Sequence, residues 1–204
     1  MRTQAIRSRE NPNLELIAFH GHFATRHSHN SHYLDITRLK HEYSLAHDTA
    51  LALANHYIYE KSIDTIICMD GSEVIGAFLA RQLTQKILFS VNNNKSICVV
   101  TPEYDSNGQL LFRENLVSMI HGRNMLLLIS TVNSGKTARR ALACIQYYGG
   151  KTEGRVRCPS EGSLEGGKTI AVRQCVNSLP GFAHPALAGW IGFIARDIGR
   201  REQT

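Results

Sequence analysis

Short apolar runs alternate along the chain with stretches whose apolar residues recur at helical spacing. The apolar runs predict buried strands at residues 65–69, 97–101 and 125–129, with later strands at 153–158 and 169–175. The amphipathic stretches predict helices at residues 45–60, 74–85 and 138–148. Because strand and helix alternate, the pattern predicts an α/β fold with a mostly parallel central sheet flanked by helices.

The size and composition of the chain fit one compact domain. It has 204 residues, 43% hydrophobic and 20% charged, and we expect a single domain over residues 1–204. The net charge of +6 is spread along the chain, which favours anionic small molecules over nucleic acid as partners. Residues 1–13 lack the apolar core of a signal peptide, and the apolar stretch 186–195 is too short to span a bilayer. We therefore expect a cytoplasmic protein without a membrane partner.

The stretch after the third predicted strand holds the residue types of a phosphate-binding loop. It reads Ser130-Thr131-Val132-Asn133-Ser134-Gly135-Lys136-Thr137 and leads into a predicted helix. Small residues leave backbone N–H groups free to surround an anion, and the positive end of the helix adds to the attraction. The same residues also suit an ordinary turn between a strand and a helix, where Ser and Asn serve as caps. Both interpretations stay open from this stretch alone.

Two further segments precede this loop in an order that is typical of one enzyme family. Residues 21–25 read Gly-His-Phe-Ala-Thr and are followed by Ser-His-Tyr-Leu-Asp at 31–35. Residues 66–72 read Ile-Ile-Cys-Met-Asp-Gly-Ser and lead to Gly76. Together with the loop after Ile129, these segments resemble the type I phosphoribosyltransferases, most closely the orotate phosphoribosyltransferase branch, over roughly residues 20–158. The resemblance implies a small hood built from residues 1–40 beside a core of residues 41–204 that ends in a helix.

The resemblance also implies a reaction. Members of this family transfer ribose 5-phosphate from phosphoribosyl pyrophosphate to a nucleobase and release pyrophosphate. For this chain it implies orotate or a similar base as acceptor, Mg²⁺ bound with phosphoribosyl pyrophosphate, and a homodimer. It places the 5′-phosphate at Ser134, Gly135, Lys136, Thr137 and Ala138. It places the ribose by Ser130 and Thr131, and the pyrophosphate by Asp70, Gly71 and Ser72. It assigns no catalytic residue and no protein ligand to a metal.

The chain departs from the family at two positions that carry charge. The family has an acidic pair before its phosphate loop, and this chain has Ser130 and Thr131, which form hydrogen bonds but supply no negative charge. The family's mobile loop is basic, whereas residues 101–113 contain Glu103, Asp105 and Arg113 and neither Lys nor His. Carboxylates in that loop would repel pyrophosphate unless a metal bridged them. The alternative hypothesis is a catalytically weak relative that binds a phosphorylated nucleotide or sugar as a sensor.

Two other classes of site compete with this interpretation. Residues 134–137, Ser-Gly-Lys-Thr, end like a P-loop, but Ser130 stands where its first glycine belongs. A P-loop protein also needs a later strand that ends in an aspartate for magnesium, and neither later candidate strand ends in one. Five histidines crowd the N-terminal segment and offer imidazoles to a metal: His20, His22, His27, His29 and His32.

Overall fold

The computed structural model describes most of the first three quarters of the chain. The described residues are 2–8, 11–24, 29–55, 57, 62–85, 91–92, 94–130, 136–152 and 172–174, with the backbone alone for 29–32, 152 and 172–174. The strands are β1 Arg2–Arg7, β2 Glu15–Ala24, β3 His29–Asp35, β4 Thr65–Cys68, β5 Cys98–Val100, β6 Glu103–Tyr104, β7 Leu110–Leu111, β8 Asn124–Ile129, β9 Lys151–Thr152 and β10 Val172–Gln174. The helices are α1 Thr37–His41, α2 Tyr43–Ala54, α3 Glu73–Thr84 and α4 Lys136–Tyr147, with a 3₁₀ helix at Glu114–Met119.

The central sheet is parallel, as the alternation of strand and helix predicts. Its strands follow the order β10-β8-β4-β5, and β9 pairs with β8 as well. The register of β4 and β8 runs from Thr65 opposite Met125 to Cys68 opposite Leu128, so the two strands end side by side. The α/β fold class with helices around a parallel sheet is therefore confirmed.

Helices cover both faces of this sheet because its central strands are apolar over residues 66–68 and 125–129, with buried residues on both faces. Ile66 and Leu126 point to one face, where they pack in a cluster with α2 and α3. Ile67 and Leu127 point to the other face, where they pack with α4. Each helix presents a stripe of buried residues at helical spacing, such as Ala138, Ala141, Leu142 and Ile145 of α4. A strand that is buried on both faces reads as a continuous apolar run, which is why these strands are visible in the sequence.

The N-terminal segment forms a second sheet, separate from the first. Its strands β1, β2 and β3 are antiparallel, with a register shift in β2 between His20 and Phe23. One face of this sheet is apolar, and its fully buried Leu14 and Leu16 pack with Leu39 of α1 and Leu45 of α2. These contacts attach the N-terminal sheet to the helices that lead into the core.

Several predicted elements have different bounds in the structure. The helix predicted at residues 45–60 is α2, which ends at Ala54. The helix predicted from residue 138 begins two residues earlier, at Lys136. The stretch 101–113, compared above with the family's mobile loop, contains the hairpin of β6 and β7. The strand predicted at 153–158 and the C-terminal apolar stretch 186–195 lie outside the described residues, while β10 falls within the strand predicted at 169–175.

Among the described residues, no helix is long and apolar enough to cross a membrane.

Gly76→Ala is expected to destabilise the protein, although alanine has the higher helix propensity. A Cβ at this position of α3 would overlap Sγ of Cys68 on β4. Overpacking of this kind costs about 1–3 kcal/mol, and the gain of alanine over glycine in a helix is at most about 1 kcal/mol. Urea denaturation of both proteins measures the difference in the free energy of unfolding.

A double variant tests whether the overlap with Cys68 causes this loss of stability. Removal of Sγ makes room for the new methyl group, so Gly76→Ala should cost less in a Cys68→Ala background than in the wild type. An equal cost in both backgrounds would show that the overlap with Cys68 is not the cause.

Candidate functional site

The candidate site lies at the carboxyl edge of the parallel sheet, where β4, β5 and β8 end together. Three segments follow these strands: the turn at residues 69–72, the hairpin of β6 and β7, and the stretch from Ser130 to α4. In open α/β sheets, ligands bind at this edge because the loops that leave the strands converge there. All ten residues that the sequence assigned to a site lie in two of these segments or in the first turn of α4.

The turn after β4 is a tight type I′ turn. Asp70 and Gly71 both have positive φ angles, 56° and 76°, and the N–H of Ser72 donates to the Met69 carbonyl at 3.2 Å. Glycine adopts this conformation freely, and aspartate is among the few other residues that tolerate it. Ser72 then begins α3: it is fully buried, and its hydroxyl donates to the Leu128 carbonyl at 3.3 Å. Ser72 therefore positions the turn, and Asp70 and Gly71 form its surface.

The Asp70 carbonyl joins three elements at this edge. The Ser130 hydroxyl, at the end of β8, donates to this carbonyl at 2.9 Å. The Lys40 ammonium group, from α1, donates to it at 2.8 Å. Ser130 is almost completely buried, so its hydroxyl connects the two strand ends inside the protein. The turn is thereby held from both sides in one conformation.

The Asp70 carboxyl group is energetically disfavoured in its charged form. Its pKa lies above the ordinary value of 3.8, mainly because the surrounding protein desolvates it. The nearby Glu73 carboxylate raises this pKa further, and the Lys40 ammonium opposes the rise. A ligand that brings a cation to this turn would stabilise the charged form of the Asp70 carboxyl group.

The acidic side chains of the hairpin of β6 and β7 are hydrogen-bonded or ion-paired with other groups of the protein. Asp105 closes the turn, since its carboxylate accepts hydrogen bonds from the N–H groups of Asn107 at 2.9 Å and Gln109 at 2.7 Å. Glu103 forms an ion pair with Arg113 at 2.7 Å. The carboxylates of Glu103 and Asp105, which in the sequence argue against an anionic substrate, therefore both have partners in the hairpin or just after it.

The hairpin is anchored to α4 through β7. The Cys144 thiol donates to the Leu110 carbonyl at 3.3 Å. Burial raises the pKa of this thiol to about 11, so it keeps its proton, and its donor function, at neutral pH. Phe112 adds an edge-to-face contact with Tyr148, with ring centroids 5.4 Å apart.

Tyr104 is the residue of the hairpin whose pKa responds to the other site segments. Desolvation raises the pKa of its hydroxyl, the Asp70 carboxylate raises it further, and Arg140 of α4 lowers it. The phenol thus lies within electrostatic reach of both the turn after β4 and the start of α4. Its side chain is 56% exposed, which leaves the ring accessible to a ligand.

The first turns of α4 carry positive charge where a helix disfavours it. Lys136 and Arg140 are exposed and Arg139 is half-buried, and no acidic residue occurs in the first turn. The N-terminal end of a helix carries a partial positive charge, so each nearby cation is unfavourable until an anion binds. Ala138, by contrast, is buried in the core and contributes backbone alone.

The structure brings together some of the sequence-predicted residues and leaves others aside. Asp70, Gly71, Ser130, Lys136 and Thr137 lie at the carboxyl edge or in the first turn of α4, while Ser72 and Ala138 are buried there. Thr131, Ser134 and Gly135 lie outside the described residues. Sequence reasoning missed three participants, Lys40, Tyr104 and Arg140. Only the helical spacing of α4 could have indicated Arg140, four residues after Lys136.

The histidines of the N-terminal sheet form no metal site in the part of the chain whose side chains are described. There, no three His, Cys, Asp or Glu side chains come together as a metal site would require. His27 and the side chains of His29 and His32 fall outside that part.

Comparisons with known proteins give structural neighbours alone. No family model matches the chain. No curated protein matches it either. Among solved structures, the orotate phosphoribosyltransferase of Mycobacterium tuberculosis aligns at 15% identity over 67% of this chain and 73% of its own, with a TM-score of 0.44. UMP synthase of Leishmania donovani aligns at 13% identity over 65% of this chain, with a TM-score of 0.46. The alignment spans 26% of that synthase.

A third neighbour acts on a different base. The adenine phosphoribosyltransferase of Rhodothermus marinus aligns at 14% identity over 74% of this chain and 78% of its own, with a TM-score of 0.41. At such identities and TM-scores, likeness establishes neither an activity nor a substrate for this chain.

Asp70→Asn is expected to stabilise the free protein at neutral pH. A carboxyl whose pKa is raised by folding favours the folded state below its unfolded pKa, near 3.8, and that contribution is lost as the pH rises through the folded pKa. Asparagine stays neutral and tolerates the positive φ. The stability of the variant should exceed that of the wild type at pH 7, and the difference should shrink towards pH 3, as followed by urea denaturation.

Asp35→Asn is a control for which the opposite change in stability is expected. Hydrogen bonds from the side chain and backbone of Thr37 lower the pKa of Asp35, so its charge stabilises the fold at pH 7 and less so as the pH falls through that lowered pKa. This variant should lose stability at pH 7. If both variants shifted stability in the same direction, the desolvation of Asp70 would not be the cause.

Proposed function

We propose that this protein is a phosphoribosyltransferase that transfers ribose 5-phosphate from phosphoribosyl pyrophosphate to orotate or a similar nucleobase. The observation that carries the proposal is the pair of anion-suited segments on neighbouring parallel strands. One is the glycine turn after β4, with Lys40 against it. The other is the cation-rich start of α4 after β8.

The geometry of these segments fits a ligand that carries an anion at each end. Neighbouring strands lie about 4.8 Å apart, so their loops can hold two ends of one small molecule. Phosphoribosyl pyrophosphate has a 5′-phosphate on one side of its ribose and a pyrophosphate on the other. We assign the 5′-phosphate to Lys136, Thr137 and the backbone from Ser134 to Ala138. The pyrophosphate is assigned to Asp70 and Gly71, with Ser72 holding the turn, and Ser130 and Thr131 border the ribose.

The transfer breaks the bond between C1 of the ribose and a pyrophosphate oxygen and forms a bond from C1 to a ring nitrogen of the base. Positive charge develops on the sugar ring as the pyrophosphate leaves with the bonding electrons. The Asp70 carboxylate and the Tyr104 hydroxyl border this region, and Arg140 lies within electrostatic reach of the tyrosine. These groups would orient the sugar and exclude water from C1.

Mg²⁺ fits this edge when it arrives with the substrate. Such ions are usually held by one or two carboxylates together with substrate phosphates, and Asp70 and Glu73 place two carboxylates near each other. The ion would offset the repulsion between these carboxylates and the pyrophosphate. The chemistry that it supplies is neutralisation of the charge on the leaving group.

A second candidate function is a sensor that binds the same ligand without turnover. Ser130 favours it, because this residue stands where the resembled family has a carboxylate and its hydroxyl is bound to the Asp70 carbonyl. A site without that negative charge would stabilise the developing positive sugar ring less well.

Calorimetric titration with phosphoribosyl pyrophosphate and Mg²⁺, followed by orotate or adenine and an assay for released pyrophosphate, tests both candidates. Binding with release of pyrophosphate supports the transferase. Binding without release for either base favours the sensor. Absence of binding would contradict both.

Lys136→Ala is expected to weaken the binding of phosphoribosyl pyrophosphate and to stabilise the free protein. Loss of a charge-assisted hydrogen bond costs about 1.5–3 kcal/mol of affinity. Removal of a cation from the positive end of α4 should raise the free energy of unfolding by roughly 0.3–1 kcal/mol. Titration calorimetry and urea denaturation measure the two effects on the same preparations.

Arg81→Ala is the matched control, because Arg81 is an exposed cation in the last turn of α3, where the helix favours it. This variant should leave binding unchanged and gain no stability. Equal losses of affinity in the two variants would indicate a general effect of net charge and would remove α4 from the site.

A further inference from the structure

Two basic side chains of α1 face the turn after β4 from across the carboxyl edge. A Cβ added to Gly71 would lie 3.6 Å from Nζ of Lys40. It would lie 3.9 Å from Cε1 and 4.0 Å from Nε2 of His41. Since Gly71 has no Cβ, the space that a side chain would fill is bordered by an ammonium group and an imidazole.

Lys40 is held in this place by its bond to the turn. Its ammonium donates to the Asp70 carbonyl at 2.8 Å, and an ammonium carries three N–H donors. The neighbouring Leu39 is fully buried in the cluster beneath the N-terminal sheet, which fixes the backbone of α1. The charge of Lys40 is therefore held beside Gly71 before any ligand arrives.

The binding of an anion at this turn needs a nearby positive charge, because the turn itself carries negative charge. Asp70 and Glu73 are both acidic and near each other. The hairpin across the edge contains neither Lys nor His between residues 101 and 113, and its Arg113 is paired with Glu103. Apart from its chain neighbours, the three described atoms nearest to a Cβ at Gly71 all belong to basic side chains of α1.

We infer that Lys40 and His41 form the basic wall of a pyrophosphate subsite whose floor is the turn at Gly71. The inference rests on the proposed function and adds the residues that would bind the leaving group. Lys40 donates from its ammonium to a pyrophosphate oxygen while it keeps its bond to Asp70. His41 donates from its imidazole on the exposed side. The absence of a side chain at Gly71 leaves both groups uncovered on this side, so the anion would bind over the turn and against them.

Titration with two probes at fixed Mg²⁺ concentration tests this inference. Inorganic pyrophosphate reports on the proposed subsite, and ribose 5-phosphate reports on the phosphate site at α4. Lys40→Met and His41→Glu should each weaken pyrophosphate by about tenfold or more, the loss typical of one charge-assisted hydrogen bond. Both variants should bind ribose 5-phosphate as the wild type does. Lys40→Arg should recover most of the pyrophosphate affinity.

Arg38→Gln is the matched control on the same helix. Arg38 is exposed and pairs with Glu42 at 2.8 Å, and surface pairs of this kind contribute little to stability. This variant removes the same charge as Lys40→Met at a position that does not border Gly71. It should leave both affinities unchanged. His41 is exposed, so its variant should fold even where Lys40→Met does not.

The outcomes separate this inference from the proposed function. If the wild type binds both probes and the Lys40 and His41 variants lose no affinity for pyrophosphate, the inference is overturned and the proposed function stands. Equal loss of both probes in those variants would overturn it as well. Wild-type binding of ribose 5-phosphate without pyrophosphate would also overturn the inference. Binding of neither probe would overturn the proposed function together with it.

Discussion

The parallel pairing of β4 and β8 is the contact on which the candidate site depends. Because Cys68 lies opposite Leu128, the two strands end at one level and the segments that follow them start as neighbours. The Leu128 carbonyl then accepts from both the Met69 N–H and the Ser72 hydroxyl, and Ser130 donates to the Asp70 carbonyl. A shift of one residue in this register would exchange the faces of the strand and break each of these bonds.

The same edge collects features that folding alone disfavours. Asp70 adopts a positive φ with a desolvated carboxyl, and the start of α4 carries cations against the helix dipole. The packed cores on both faces of the sheet supply the stability that tolerates these costs. Local strain of this kind concentrates where a protein binds or transforms a ligand. Here these features lie on the segments that follow the neighbouring strands β4 and β8.

The hairpin shows why a list of charged residues is a poor guide to an electrostatic field. In the sequence, Glu103 and Asp105 stand in a segment where the resembled family is basic, which argues against an anionic substrate. In the structure, one carboxylate pairs with Arg113 and the other binds the backbone of its own turn. Tyr104 is the hairpin residue within electrostatic reach of Asp70 and Arg140, and basic side chains reach the turn from α1, more than sixty residues earlier in the chain.

The sequence by itself determined the sheet, the helices around it and the two loops at its edge, because apolar periodicity is a local property that burial imposes on each element. It placed Asp70 and Gly71 in the first of those loops for the same reason, whereas Lys136, predicted in the second, lies in the first turn of α4. It did not determine the hairpin, whose strands of two residues are too short to show a period. It also gave no sign that Lys40 meets Gly71. That meeting depends on how α1 packs beneath the N-terminal sheet, and a contact between distant segments is decided by tertiary packing alone.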